Sequence, residues 1–196
     1  MSDSAAGPSK CVVPLGFSFS ALAAGIKASG RPDVALIACS PKTRAAALFT
    51  RNRVAAAPLQ VAKVSLRAAR GSVRAVLVNS GNANCATGQA GIQGCRQVCR
   101  EAAILLDVRL EQVFPSSTGI IGVPFPAEKI ARRLPDLIRC THAGPEALRT
   151  FAGAIMTTDT RPKLAWKSIG VHGREVRVLG VAKGSGMIHP QLATML

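Results

Sequence analysis

Residues 183–196 read Lys183-Gly184-Ser185-Gly186-Met187-Ile188-His189-Pro190-Gln191-Leu192-Ala193-Thr194-Met195-Leu196. A lysine leads into a Gly-Ser-Gly run, a proline stiffens the backbone, and Thr194 sits between Ala193 and Met195. A threonine hydroxyl is a weak nucleophile unless a base sits beside it. A threonine at a chain's own N-terminus carries that base as its α-amine. Such an amine titrates at roughly 7.7–8.0, near the working pH that suits a general base. Attack by the Thr194 hydroxyl on the Ala193–Thr194 peptide bond would create this end, and a small neighbour such as Ala193 leaves room for the tetrahedral intermediate. The plain alternative is an apolar strand of Leu192, Ala193, Met195 and Leu196 that happens to hold one threonine. Short motifs give many false matches.

Working back from this stretch, Lys163 to Val171 and Glu175 to Ala182 read as a hairpin turning at His172-Gly173. Lys183 precedes its glycine rather than following it, so this is not a phosphate-binding Gly-Lys-Ser/Thr loop. Glu146 to Ile155 reads as a helix with Leu148, Phe151 and Ile155 facing inward. It ends in Met156-Thr157-Thr158-Asp159-Thr160, which by itself is only a cap and turn. Pro126 to Arg139 reads as another helix, with Ile130, Leu134, Leu137 and Ile138 on one side and Pro135 as a point of kinking or breakage. Between Gly91 and Asp107, Ile92, Cys95, Cys99, Ala102, Ala103 and Leu106 recur at three and four, the mark of an amphipathic core helix.

Gln112 to Ser116 reads as a strand followed by Ser117-Thr118-Gly119-Ile120-Ile121-Gly122. Such a turn offers a hydroxyl and a flexible main-chain N–H, the two kinds of donor that acyl transfer aims at a developing oxyanion. Most Ser/Thr/Gly clusters are nevertheless only turns. Val73 to Val78 is a strong strand that runs into Asn79-Ser80-Gly81-Asn82-Ala83-Asn84. Residues of this kind tolerate left-handed backbone and bond to nearby main chain, so the segment reads as a structural turn. Asp33 to Cys39 and Ala45 to Thr50 read as two further strands, and Ala56-Ala57-Pro58-Leu59 opens another segment. Around Gly16 and Gly25 the glycines predict tight turns rather than a long helix.

The 196 residues are 48% hydrophobic, with a positive mean hydropathy, which predicts a core-forming chain rather than a disordered one. No apolar run reaches the ~18 residues of a membrane helix. Residues 1–10 are small and polar and lack a signal peptide's basic start and apolar centre, so they read as a flexible N-terminus in a cytoplasmic protein. The net charge of +15 raises nucleic-acid binding. Against it, the basic residues are scattered, there is no tyrosine and a single tryptophan, and no nucleic-acid-binding motif is visible. A basic surface that meets an acidic partner segment or anionic substrates is the plainer account. The six cysteines form no Cys-x-x-Cys pair, and His142, His172 and His189 are isolated, which argues against a metal site. Reduced cysteines acting as small apolar residues fit best.

Lys183-Gly-Ser-Gly-Met-Ile188 followed by Ala193-Thr-Met-Leu196 resembles the cleavage segment of the glutamate N-acetyltransferases, or ornithine acetyltransferases, of arginine biosynthesis. The Gly-Ile-Lys segment at 25–27, the Phe-Thr-Arg-Asn stretch at 49–52 and the Asn-Ser-Gly-Asn-Ala-Asn segment continued by Cys85-Ala86-Thr87-Gly88 resemble the same family. The likeness therefore runs from about Gly16 onward. Gln191-Leu192 stands where members often carry Asn-Met, while the attacking and leaving residues are intact.

The resemblance implies an α/β fold, a layered α/β sandwich that is incomplete without a second chain. It makes Thr194 the cleavage site with Ala193, and afterwards the nucleophile. It assigns the oxyanion hole to the Thr118 hydroxyl and the Gly119 N–H. It places Thr157, with Thr158 as the neighbouring alternative, and Lys183 in the substrate pocket, where the lysine meets an amino-acid carboxylate. The implied reaction is acetyl transfer from N2-acetyl-L-ornithine to L-glutamate through an acetyl-threonine ester, with no cofactor or metal and with acetyl-CoA as a further donor in some members. The implied assembly is a heterotetramer of two alpha and two beta chains, with no nucleic acid and no membrane. On this reading residues 11–193 are the alpha-chain portion and 194–196 the start of a beta chain, so the 196-residue chain alone is expected to be inactive and to expose apolar surface. An amide hydrolase or aminopeptidase on a related self-cleaving fold, and a non-enzymatic basic binding module, stay open.

Overall fold

The computed structural model describes residues 13–185, so Ala193, Thr194 and residues 1–10 lie outside the described residues. The elements are β1 (Phe17–Leu22), β2 (Val34–Cys39), α1 (Ala57–Ala68), β3 (Ala75–Asn82), α2 (Gly88–Leu105), a 3-10 turn (Leu110–Gln112), β4 (Val113–Ile120), α3 (Ala127–Ala131), α4 (Leu134–Arg139), α5 (Pro145–Ala154), β5 (Lys163–Val171) and β6 (Arg174–Ala182). The first four strands form one sheet in the order β1-β2-β3-β4. β1 and β2 pair antiparallel, as do β2 and β3, while β3 and β4 are parallel and joined through α2. β5 and β6 form a separate antiparallel pair.

Strand periodicity sorts the core into two sides. Val34 and Leu36 of β2, Ala75 and Leu77 of β3, and Val113 of β4 point to one face. There they meet Cys95, Val98, Cys99 and Ala102 of α2 together with Ile130, Leu134 and Leu137. Ala35 and Val78 point to the other face and meet Phe19 and the buried Ala147, Leu148 and Phe151 of α5. Leu164, Leu179 and Val181 of the β5–β6 hairpin pack against this second cluster. The result is a layered α/β sandwich, as the sequence resemblance implies, with helices on one face and a helix plus a hairpin on the other. Each large apolar side chain so buried contributes about 1.5–3 kcal/mol against the entropy of ordering the chain.

Local chemistry explains most boundaries. Pro145 opens α5 at its first position, where a missing N–H costs nothing, and Glu146 in the first turn suits the helix dipole. His172 and Gly173, at φ +48° and +73°, form the two-residue primed turn of the hairpin. Cys95 and Cys99 do share one face of α2, turned into the core, as their spacing predicts.

Several sequence expectations need correction. Ala45 to Thr50 is not a strand; only an isolated bridge, Arg44 with Ser72, lies nearby. Ala45 and Phe49 are instead covered by packing on Cys39, Ala62, Val73 and Phe114, and a run of alanines has little intrinsic β preference. The helix expected over 126–139 is two short helices, α3 and α4, separated at Arg132-Arg133. Pro135 lacks the N–H that would bond back to Ala131, so the first helix cannot continue through it. Ile130, Leu134 and Leu137 still reach the same core. Finally, Asn79 to Asn82 and Ser117 to Ile120, both expected as turns, are the ends of β3 and β4, because they pair with each other as parallel strands.

Candidate functional site

The parallel strands β3 and β4 end side by side, with Ser80 opposite Thr118 and Gly81 opposite Gly119. In α/β sheets, ligand sites gather beyond the carboxyl ends of parallel strands. Here those ends are polar yet buried: Asn79, Ser80, Asn82, Asn84 and Thr118 are all nearly inaccessible. Buried polar groups need partners, and these have them. The Asn79 amide donates to the Asn82 carbonyl at 2.8 Å and accepts from the Ser117 hydroxyl at 2.5 Å. The Asn82 amide donates to the carbonyl of Pro124 at 3.1 Å, and its oxygen accepts the N–H of Asn84 at 2.7 Å. The Asn84 amide donates to the Gly91 carbonyl at 3.0 Å, tying the strand end to α2. The asparagines are thus a scaffold, in keeping with the structural reading of this segment.

Gly119 has φ +137°, and a Cβ there would collide with the Gly81 main chain. Only glycine allows this approach of β4 to β3 at the bulge between Gly81 and Asn82.

Lys183 follows β6 and is buried. Its ammonium donates to Thr118 Oγ1 at 3.0 Å and to Thr157 Oγ1 at 2.5 Å. Burial pushes the Lys183 pKa down, opposed by the nearby Asp159 carboxylate and reinforced by Lys163. The hydroxyl that meets Lys183 is that of Thr157, whose neighbour Thr158 has no such contact among the described residues. Thr118, Gly119, Thr157 and Lys183, chosen from sequence, are therefore gathered at one place from β4, the segment after α5, and the end of β6. Ala193 and Thr194 lie outside the described residues.

Two acidic residues complete the surroundings, and sequence reasoning gave neither a role. Asp159 has a fully buried side chain. It accepts from Lys163 Nζ at 2.6 Å and from the Gly184 N–H at 2.6 Å, and its other oxygen stands 4.0 Å from Lys183 Nζ. Burial alone would raise its pKa, but the bonds from Lys163, Gly184 and Thr157 outweigh that and hold it at about 2. Asp33 accepts the main-chain N–H groups of Ala24, Ile26 and Lys27 at 2.7, 2.6 and 2.9 Å. That holds Ile26 and Lys27 against Gly81. Lys27 Nζ and Ser80 Oγ then share the Ala154 carbonyl, at 2.9 and 2.5 Å. The one available signal was scarcity: a chain with only 10 acidic residues among 25 basic ones places each carboxylate under suspicion.

Comparison with known proteins identifies the family. The ArgJ family model matches residues 18–196. The arginine biosynthesis bifunctional protein ArgJ of Thermus thermophilus is 46% identical over 184 residues, which are 94% of this chain and 46% of that protein. Its counterpart in Methylococcus capsulatus is 47% identical over 181 residues, 92% of this chain and 43% of that protein. The chain thus spans less than half the length of these relatives. Among solved structures, ArgJ of Bacillus halodurans superposes with a TM-score of 0.85 at 37% identity, covering 93% of this chain and 92% of that one. Ornithine acetyltransferase of Mycobacterium tuberculosis, solved with ornithine, gives 0.83 at 36% identity, covering 93% and 94%. A family match over nearly the whole length, on top of the shared fold, bears out the resemblance read from residues 183–196: this chain belongs to the ArgJ family of enzymes.

Proposed function

We propose that this chain is the alpha part of an enzyme that moves an acetyl group from N2-acetyl-L-ornithine to L-glutamate in arginine biosynthesis. The observation that carries the reading is the meeting of Thr118, Thr157 and Lys183 from three separated parts of the chain. The mechanism is covalent. The Thr194 hydroxyl, freed as an N-terminus by cleavage after Ala193, gives its proton to its own amine and attacks the acetyl carbonyl. Thr118 and the Gly119 N–H stabilise the oxyanion, and Lys183 and Thr157 help bind the substrate. Ornithine leaves with a proton on its amine, glutamate attacks the acetyl ester, and Thr194 is regenerated.

The partner is a second, beta chain from the same precursor, in a heterotetramer of two alpha and two beta chains. Lengths support it: curated relatives are matched over less than half their span, whereas solved chains are matched over 92% and 94% of theirs. Exposed apolar residues also support it, with Ile120 at the end of β4, Ile121 and Val123 just beyond it, and Ile169, Val171, Val176 and Val178 on the hairpin. Free thiols at Cys39, Cys85, Cys95, Cys99 and Cys140 fit a reducing, cytoplasmic setting. Among the described residues no helix is long and apolar enough to cross a membrane.

The test fuses the C-terminal half of a curated relative onto Leu196, so that Thr194 begins the released chain, and follows acetylglutamate and free acetate. Ping-pong transfer is expected, with cleavage between Ala193 and Thr194 seen by mass spectrometry. Thr194→Ala should abolish both. Cleavage that persists in that variant, or acetate as the main product, overturns the reading.

A further inference from the structure

The geometry points to a second duty for Lys183, one that rests on the acyl-transfer reading above: we propose that its ammonium orients the Thr118 and Thr157 hydroxyls so that both serve the site as hydrogen-bond donors. An ammonium has three N–H donors and no acceptor, whereas a threonine hydroxyl has one proton and two lone pairs. At 3.0 and 2.5 Å from Lys183 Nζ, both hydroxyl oxygens can only accept. Each hydroxyl proton must then point away from the lysine. In an unassisted threonine that proton is free to rotate, and it has equal claim to nearby main-chain carbonyls. The charge also polarises each O–H and strengthens the bond it donates next.

Thr118 is buried at the end of β4, next to Gly119, so its outward proton and an adjacent main-chain N–H can converge on one oxygen atom. Thr157 is exposed, so a proton turned away from the lysine is free to meet a substrate oxygen. The ligand chemistry is an oxygen that gains negative charge during reaction. No proton changes hands in this arrangement; Thr118 keeps its hydrogen throughout and only donates a hydrogen bond. Asp159 is the counterion that keeps Lys183 charged in a buried place. It stands 4.0 Å away, too far to take a hydrogen bond from the ammonium, so the donors stay committed to the hydroxyls. Among the described residues, the other charges near Lys183 are Lys163 and Lys27.

A direct role of Lys183 on a substrate carboxylate and an orienting role through Thr118 give different double-mutant cycles. In this chain fused to the C-terminal half of a curated relative, Lys183→Met and Thr118→Val should each lower kcat by roughly a hundredfold, the worth of an oxyanion donor. Together they should lose less than about threefold beyond either one. Fully multiplying losses, or a Lys183→Met effect confined to KM, overturn the proposal. A measurement on the 196-residue chain does not need activity. With lysine side chains labelled for NMR, the Lys183 ammonium should titrate at lower pH in a Thr118→Val, Thr157→Val double variant, because the charged form has lost its acceptors. An unchanged midpoint overturns the proposal even if turnover behaves as expected. Turnover that survives Thr194→Ala would instead sink the acyl-transfer reading, whatever the Lys183 titration shows.

Discussion

The Asp159 carboxylate accepts the main-chain N–H of Gly184 at 2.6 Å, across 25 residues of sequence. The same oxygen takes Lys163 Nζ at 2.6 Å. The entry to β5 and the exit from β6 are therefore fastened to one buried acid. The chain beyond Gly184 starts from a fixed point directly beside Lys183, rather than from a free strand end.

That fastening has a pH signature. Asp159 is held at about 2, below its ordinary 3.8, so its contribution to stability is complete above about pH 4. It is lost as the pH falls from there through 2, when the folded form must also take up the proton. Thermal unfolding of the parent and of Asp159→Asn should differ clearly at pH 5, and the gap should narrow towards pH 2. A gap of constant size over that range would mean that the charge contributes nothing.

Gly119→Ala should destabilise the protein by roughly 1–3 kcal/mol from backbone strain, with steric repulsion in addition. The φ of +137° is poorly suited to any other residue, and the new methyl meets Gly81 main chain, which cannot step aside as a flexible side chain could. Urea unfolding monitored by circular dichroism measures the loss. A variant within about 0.5 kcal/mol of the parent, the range of ordinary surface changes, would refute the close approach of β4 to β3.

Asp33→Ala strands three main-chain donors at once, those of Ala24, Ile26 and Lys27. Each unsatisfied buried group costs about 1–3 kcal/mol, so a loss of 3 kcal/mol or more is expected. Asp33→Asn keeps one acceptor oxygen and should fall between parent and alanine. Amide exchange should accelerate at Ile26 and Lys27 and stay slow at Leu77 in the middle of β3. Equal stability of the alanine and asparagine variants would contradict this ordering.

Several features could be read from the sequence because their causes are local. The 3.6-residue recurrence of Cys95, Cys99 and Ala102 marks a helix whatever lies around it, and the observed α2 spans that stretch. His172-Gly173 sits between alternating runs, and the two left-handed residues do make the hairpin turn. Family membership was legible as well, because residues 183–196 and the segments near Lys27 and Asn79 carry the resemblance directly. The limits were equally physical. Ala45 to Thr50 has the apolar look of a strand, but apolar residues can be covered by packing as well as by pairing, and only the three-dimensional arrangement chooses. Asn79 to Asn82 has turn composition, yet the parallel partner strand holds it extended.

What the sequence by itself determined, through its resemblance to the family, is a set of candidate residues: Thr118, Gly119, Lys183 and Thr157, with Thr158 as the neighbouring alternative. What only the tertiary structure decided is how they are wired. Lys183 lies 65 residues from Thr118 and 26 from Thr157, and no local rule states that one ammonium will donate to both hydroxyls. Asp159 and Asp33 were invisible as anchors for the same reason. Their partners are main-chain N–H groups and a lysine, which every segment can offer, so their selection depends on long-range packing rather than on spacing in the chain.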